Sequence, residues 1–148
     1  MISQSSIQYG QEAAIKARLD DHKIVRKMSC AFVGEEPEST PNLKNISDEA
    51  VKNLKKGIII RRLVNMNYPE NIKKAEHLSK YGAEYRHYPV YGFTMSIIDE
   101  EKVRIELPDK EKDRILIWIN NNNFAEKMQD YFDMCWKSAE NLEVQKDE

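Results

Sequence analysis

The sequence predicts an α/β fold, with a mixed sheet of about six strands covered by three or four helices. In the first half, apolar runs of strand length alternate with segments of helical periodicity, which implies parallel pairing. In the second half, two alternating strands are separated only by a short turn, which implies an antiparallel hairpin. At 148 residues the chain can build one core and is too short to expect two. A single domain, 1–148, is therefore expected.

The pattern is clearest over residues 93–142. Residues 93–99 and 103–107 alternate apolar and polar positions, and 115–119 form a continuous apolar strand. A long helix is then expected to run to Leu142, because its apolar residues follow a 3.6-residue period and define one buried face. These residues are Phe124, Met128, Tyr131, Phe132, Cys135, Trp136, Ala139 and Leu142.

The start of the chain is less regular. An opening helix is expected from Ile7 to Ile24, interrupted by Gly10, and a short buried strand at 29–33. The stretch 22–28 is compatible with either helix or strand. Residues 34–45 are rich in Gly, Pro, Asn and Glu, so they are expected to form a loop.

Two helix–strand units follow this loop. Ser47 is a good helix N-cap and Gly57 a left-handed stop. Pro69 suits the first turn of the next helix, which Gly82 ends. The expected strands are 29–33, 58–64, 83–88, 93–99, 103–107 and 115–119.

Composition narrows the classes of function. With 23 basic and 25 acidic side chains the net charge is −2, so there is no broad basic surplus of the kind that nucleic-acid binders carry. Apolar runs reach only about five residues, far below the roughly 20 of a membrane helix. We expect a cytoplasmic protein with no membrane partner, since no signal-peptide pattern is visible. Cys30 and Cys135 are expected to be buried free thiols. No metal-ligand spacing is recognised, so neither a metal nor another cofactor is expected.

The hairpin can be compared with a known catalytic motif. The succession of hairpin, strand and helix resembles the C-terminal part of the phospholipase D-like fold, whose motif is His, one residue, Lys, four residues, Asp. Counting back from Asp99 places the Lys position at Thr94 and the His position at Gly92. In that family the His is the phosphoryl nucleophile and the Lys neutralises phosphate charge, and Gly and Thr can supply neither. The Gly-Ser-x-Asn signature is also missing, with residues 105–108 in its place. The resemblance therefore implies a catalytically degenerate domain that is not an enzyme.

Degenerate domains of this kind occur in TrmB-type archaeal transcriptional regulators. The chain resembles their effector-sensing domain over roughly residues 46–142, while 1–45 match only loosely. The matching segments are 57–64 with 82–87, and 117–121 with 124–125 and 131–136. The resemblance implies a non-enzymatic, ligand-sensing or regulatory domain that pairs as a homodimer. No helix-turn-helix is recognisable before Ile46, so DNA contact is expected only through another domain or chain.

Two other functions remain open. One is a phosphodiesterase or nuclease of the phospholipase D superfamily, which would need a nucleophile that Gly92 cannot be. The other is a protein-interaction module without a ligand, which predicts no thermal shift with any metabolite.

A small ligand is expected at the carboxyl ends of the strands, near the catalytic position of the fold. The candidate contacts are Arg62, Arg86, His87, Thr94, Ser96, Asp99 and Asn120. Guanidinium groups favour an anionic or polyhydroxy ligand, because they match carboxylates and phosphates. Most candidates also have a structural interpretation: exposure at the strand edge or pairing with a carboxylate for Arg62, an exposed or half-satisfied side chain for His87, and solvent surface for the hydroxyls of Thr94 and Ser96. The aspartate suits a turn and the amide a helix cap.

Overall fold

The computed structural model describes residues 5–34, 43–111 and 113–141. Within them the chain forms eight strands and four helices. In chain order these are β1 (Ser6–Tyr9), α1 (Gln11–Ile24), β2 (Met28–Val33), α2 (Leu43–Lys55), β3 (Ile59–Val64), α3 (Pro69–Ser79), β4 (Glu84–His87), β5 (Thr94–Ile98), β6 (Lys102–Asp109), β7 (Asp113–Ile119), α4 (Asn122–Ser138) and β8 (Glu140–Asn141).

The strands form one mixed sheet in the order β1-β7-β6-β5-β2-β3-β4-β8. The β2–β3 and β3–β4 pairs are parallel and the other pairs are antiparallel. The predicted α/β fold with a mixed sheet is thus confirmed, and the six predicted strands are β2 to β7. The two further strands, β1 and β8, are short and lie at the two edges.

Strand β1 corrects the predicted opening helix. Ile7 lies in this strand and pairs with Ile117, and the helix begins only after Gly10. Gly10 has φ 97, a left-handed conformation that glycine adopts without strain and that separates the strand from the helix. The prediction was wrong because the partner of this short strand is more than a hundred positions away in sequence.

The ends of two other helices also differ from expectation. Helix α2 already begins at Leu43, so Ser47 lies inside the helix and is not its N-cap. Helix α4 ends at Ser138, because Ala139 turns extended, with ψ 152, and leads into the pairing with β4. The predicted continuation to Leu142 is therefore wrong up to residue 141, and Leu142 itself lies outside the described residues.

Other boundary signals are confirmed. Gly57 follows α2 with φ 91, and Gly82 follows α3 with φ 107. Pro69 is in the first turn of α3. The side chain of Asn121 caps α4 by accepting a hydrogen bond from the Phe124 backbone N–H at 2.9 Å.

Helices cover both faces of the sheet. Helix α4 packs Phe132 and Cys135 on one face, against a cluster that contains Cys30 and Leu63. Helices α1, α2 and α3 cover the other face, where Trp118 is buried beneath α1. Both cysteines are buried free thiols, as predicted. No described helix is long and apolar enough to cross a membrane.

Candidate functional site

A small cavity lies where the motif comparison placed the catalytic residues. Its volume is about 50 Å³, and its lining residues are Gly92, Phe93, Thr94, Pro108 and Arg114. We call it the motif cavity. Thr94 is the first residue of β5, and Gly92 precedes it in a left-handed conformation with φ 77. Among the described lining residues, the ionisable one is Arg114, since Gly92 and Thr94 carry no charge.

Gly34 closely approaches Phe93, which lines the motif cavity. The Gly34 backbone N–H donates to the Phe93 carbonyl at 3.1 Å. A Cβ at position 34 would lie 2.7 Å from the same oxygen, too close for any larger residue without a shift of the backbone. This close approach holds the end of β2 against the segment that leads into β5.

Behind the motif cavity lies a buried group of charges, which we call the charge cluster (Arg18, Asp21, Arg104, Glu106 and Arg114). Its centre is Glu106, which is 0% exposed. Arg18 binds both carboxylate oxygens of Glu106, with Nε 3.3 Å from Oε2. Arg104 donates to Oε2 at 2.7 Å, and Nη1 of Arg114 lies 3.6 Å from Oε1. Three guanidinium groups therefore surround one carboxylate.

The second carboxylate of the cluster is Asp21 on α1. Arg104 holds it with two nitrogens, Nε at 3.0 Å and Nη2 at 2.5 Å from Oδ2. Arg104 Nη2 also donates to Ser96 Oγ at 3.1 Å. Three cations and two anions leave the charge cluster with one excess positive charge. The cluster member that reaches the motif cavity is Arg114.

The charge state of Glu106 follows from these contacts. Burial by itself raises the pKa of this carboxyl, but the guanidiniums of Arg104, Arg18 and Arg114 outweigh burial and lower the pKa to about 2. Glu106 is therefore ionised at neutral pH and holds the arginines in place. Such a group is poorly suited to proton transfer, which works best with a pKa near the operating pH.

Sequence reasoning missed the charge cluster. Arg104 and Glu106 occupy alternate positions of a hairpin strand, a pattern that is equally typical of a solvent-facing side. The available signal lay in helix α1, where Arg18 and Asp21 are three residues apart and thus on one helix face. Ser96 belongs to the same buried face, which contradicts the alternative interpretation of its hydroxyl as solvent surface.

Of the predicted ligand contacts, Thr94 lines the motif cavity. His87 lies at the same end of the strands. The paired positions run from Thr94 through Val33 and Val64 to His87, across three strand spacings. With strands about 4.8 Å apart, His87 is about 14 Å from Thr94. Its Nδ1 accepts a hydrogen bond from the Met66 backbone N–H at 3.1 Å. His87 is therefore too far away to complete the site at Thr94.

The two candidate arginines lie on opposite faces of the sheet. Arg86 is on the α4 face, where it donates to the Trp136 carbonyl at 2.6 Å and its guanidinium lies 4.3 Å from the indole centroid. Arg62 is on the face covered by α1 to α3, where it donates to the Ser29 carbonyl at 2.8 Å. As the strand geometry requires, Arg61 points the other way, and it pairs with Glu84 at 3.2 Å.

The last two candidates lie at the opposite ends of the strands from Thr94. Asp99 is in the β5–β6 turn, and its carboxylate accepts from the backbone N–H groups of Arg26, Lys27 and Met28 at 2.9, 2.8 and 3.0 Å. The Asn120 N–H donates to Ser5 Oγ at 3.1 Å. The structure thus does not bring the candidates together in one cluster, and contact between any of them and a ligand stays a prediction. Among the described residues, no group of three or more His, Cys, Asp or Glu could hold a metal ion.

No protein-family model and no curated protein matches the sequence. Solved structures are similar in fold. TrmBL2, described as an archaeal chromatin protein with a novel mode of DNA binding, superposes with a TM-score of 0.72 at 18% identity over 95% of this chain and 55% of its own. Our chain thus spans about half the length of that protein.

Two bacterial structures match along nearly their whole length. Nuc of Salmonella typhimurium, a phospholipase D family member, gives a TM-score of 0.72 at 13% identity over 93% of this chain and 98% of its own. NucT of Helicobacter pylori gives a TM-score of 0.75 at 14% identity over 94% of this chain and 99% of its own. At these identities the similarity concerns the fold, and the chain has a phospholipase D-like fold.

Proposed function

We propose that the chain is a non-enzymatic, ligand-sensing or regulatory domain resembling the effector-binding domain of TrmB-type regulators, and that a small anionic or polyhydroxy ligand binds in the motif cavity. The observation that carries this proposal is that the motif cavity has other side chains at the positions of the catalytic His and Lys. The nucleophile and cation positions are Gly92 and Thr94, while the cavity wall carries a hydroxyl and the guanidinium of Arg114.

Electrostatics favours an anionic ligand group at this position. The charge cluster has one excess positive charge, and the side chain of Arg114 is only 14% exposed. A partly buried guanidinium is weakly screened by water, so a carboxylate or phosphate beside it gains a strong charge-assisted hydrogen bond. The hydroxyl of Thr94 can donate or accept beside it, so the cavity has room and partners for the charged end group of a sugar acid or sugar phosphate whose remainder lies outside it.

The alternative enzyme function, phosphodiester hydrolysis, requires a nucleophile. The chain has three histidines, His22, His77 and His87. His22 lines cavities on the α1 side of the sheet, His77 is exposed on α3, and His87 is about 14 Å from Thr94 by strand spacing. None of the three histidines lines the motif cavity, which supports the non-enzymatic proposal.

An assay with bis(p-nitrophenyl) phosphate separates the two functions. We expect no turnover above buffer from protein purified to constant specific activity. Turnover that survives this purification and falls in His87→Ala or Asp99→Ala would overturn the proposal in favour of an enzyme.

Ligand sensing is tested by a thermal-shift screen of sugars, sugar phosphates and nucleotides. A ligand at ten times its Kd should stabilise the fold by about 1.4 kcal/mol. The shift should disappear in Arg114→Gln and persist in Arg61→Gln, a half-buried arginine on the opposite face. A shift that is equal in both variants would place the ligand elsewhere, and no shift with any compound would favour a pure interaction module.

We also propose that the domain forms a homodimer and contacts DNA only through another domain or chain. Large apolar side chains are exposed on β1 and α4: Ile7 is 58% and Met134 60% exposed. Covering such side chains removes apolar surface from water, which favours the association of two copies of the chain. Sedimentation equilibrium should give a dimer, and Met134→Glu or Ile7→Glu should weaken it. A monomer at all concentrations would contradict this part of the proposal.

A further inference from the structure

A second cavity lies on the other side of the molecule from the α4 face, between α1, α3 and the sheet. Its volume is about 50 Å³, and its polar lining is His22, Arg62, Asn71, Lys74 and Tyr85. We call it the Arg62 cavity. One water needs about 10–15 Å³ in this measure, so the cavity has room for about four water-sized groups. That is the size of a tetrahedral oxyanion.

Arg62 gives this cavity a positive charge, and its hydrogen-bond acceptors among the described residues carry no charge. Its guanidinium is half-buried and donates to the Ser29 carbonyl at 2.8 Å, to Ser29 Oγ at 3.2 Å and to the Arg61 carbonyl at 3.1 Å. All three acceptors are neutral, and no described carboxylate forms a salt bridge with Arg62. The charged group that lies near it, Asp21, is held by two nitrogens of Arg104. A half-buried guanidinium whose described acceptors are all neutral favours the binding of an anion beside it.

Asn71 provides an independent observation. This residue is 1% exposed, and its Nδ2 donates to the Gly34 carbonyl at 2.6 Å and to the Asn65 carbonyl at 2.8 Å. These two bonds fix the orientation of the amide, so its Oδ1 is an acceptor. That oxygen is buried with no hydrogen-bond partner. An unsatisfied buried acceptor is costly, and a donor that enters the cavity would satisfy this oxygen.

The state of His22 agrees with an excess of positive charge around the cavity. Burial, followed by the charges of Arg62, Lys74 and Arg104, lowers the pKa of this imidazole to about 3. A neutral imidazole can accept or donate one hydrogen bond, and a bound anion would favour its protonated form. Lys74 also lines the cavity and is a second cation at this wall.

We propose that the Arg62 cavity binds a small oxyanion that carries a hydroxyl hydrogen, of which inorganic phosphate is the simplest example. Arg62 and Lys74 bind the anionic oxygens, and the hydroxyl of the anion donates to Asn71 Oδ1. This site is separate from the motif cavity, so it stands whether or not the chain senses a ligand there.

The probes are sodium phosphate and sodium sulphate at constant ionic strength and neutral pH. Sulphate has the same shape but no hydroxyl hydrogen at this pH, so it should bind more weakly. At ten times the Kd, phosphate should raise the Tm of the wild-type protein by about 4 °C. Each variant is compared with its own Tm without anion, so a loss of stability does not mask the result.

The sequence offers two matched controls. The phosphate shift should vanish in Arg62→Gln and Lys74→Met, and persist in Arg61→Gln and Lys73→Met, which alter the neighbouring residues outside the cavity. In addition, phosphate should raise the pKa of His22 in an NMR titration. Equal shifts from both anions in all variants would reveal only a general salt effect and overturn the proposal, as would an unchanged His22 titration.

Discussion

The carboxylate of Asp99 accepts a hydrogen bond from the backbone N–H of Lys27 at 2.8 Å. The retained member of the motif thus fastens the β5–β6 turn to the start of β2. Arg26 and Met28 donate to the same carboxylate. Asp99 lies at the opposite end of β5 from the motif cavity. Its contacts with the backbone therefore give it a structural role.

Replacing Asp99 should therefore cost stability. Asp99→Ala removes the acceptor of three backbone N–H groups, and we expect a loss of about 2–3 kcal/mol. Asp99→Asn keeps one acceptor oxygen and tolerates the left-handed conformation, with φ 54, so its loss should be smaller. Urea unfolding measures both free energies. A loss below about 0.5 kcal/mol in Asp99→Ala would show that water replaces these bonds without cost.

The same turn contains a residue, Glu100, whose replacement should stabilise the protein. Glu100 has φ 57 and is exposed, and the Glu101 N–H closes the turn by donating to the Ile98 carbonyl at 2.9 Å. Two successive left-handed residues form the hairpin turn that favours glycine at the second position. Glu100→Gly should raise the free energy of unfolding by about 0.5–1 kcal/mol, because it removes left-handed strain. Glu111→Gly, at another exposed turn residue, is the control, and equal gains in both would contradict this cause.

The sequence determined much of the sheet and less of the site. Strands β2 to β7 were predictable because each is a local apolar or alternating run. Strands β1 and β8 were not, since Ile7 and Asn141 join the sheet only through pairing with distant residues. The end of α4 was missed for the same reason: Ala139 continues the helical apolar period, yet it leads into that pairing.

The candidate site shows the same division. The position of the motif cavity at Gly92 and Thr94 was predictable, because the motif of the resemblance has fixed spacing. Arg114 was not predicted, since it reaches the cavity only through its pairing with Pro108 across the hairpin. The alternation along β6 predicts which residues share a face. It does not predict that helix α1 covers that face with residues of complementary charge.

Glu106 should control stability at low pH. Its pKa is about 2 in the folded protein against an ordinary 4.5, so its contribution is complete above about pH 4.5 and is lost as pH falls towards 2. A difference of about 2.5 pKa units corresponds to about 3 kcal/mol. Glu106→Gln should lose a comparable amount at neutral pH and flatten the profile below pH 4.5. Glu84→Gln, which alters a half-exposed pair, should change stability by less than about 1 kcal/mol, and equal losses in both variants would contradict the assignment.

His22 should act in a different pH window. Its pKa is about 3 in the folded protein against an ordinary 6.5, so between these values the unfolded chain binds a proton that the folded protein does not. The stability is therefore complete above about pH 6.5 and declines as pH falls towards 3, by at most about 5 kcal/mol. His22→Gln should remove this slope between pH 6.5 and 4.5, where Glu106 does not yet contribute, while His77→Gln should retain it. Free energies of unfolding in urea at intervals across this range provide the test, and an unchanged slope in His22→Gln would mean that the imidazole is protonated in the folded protein.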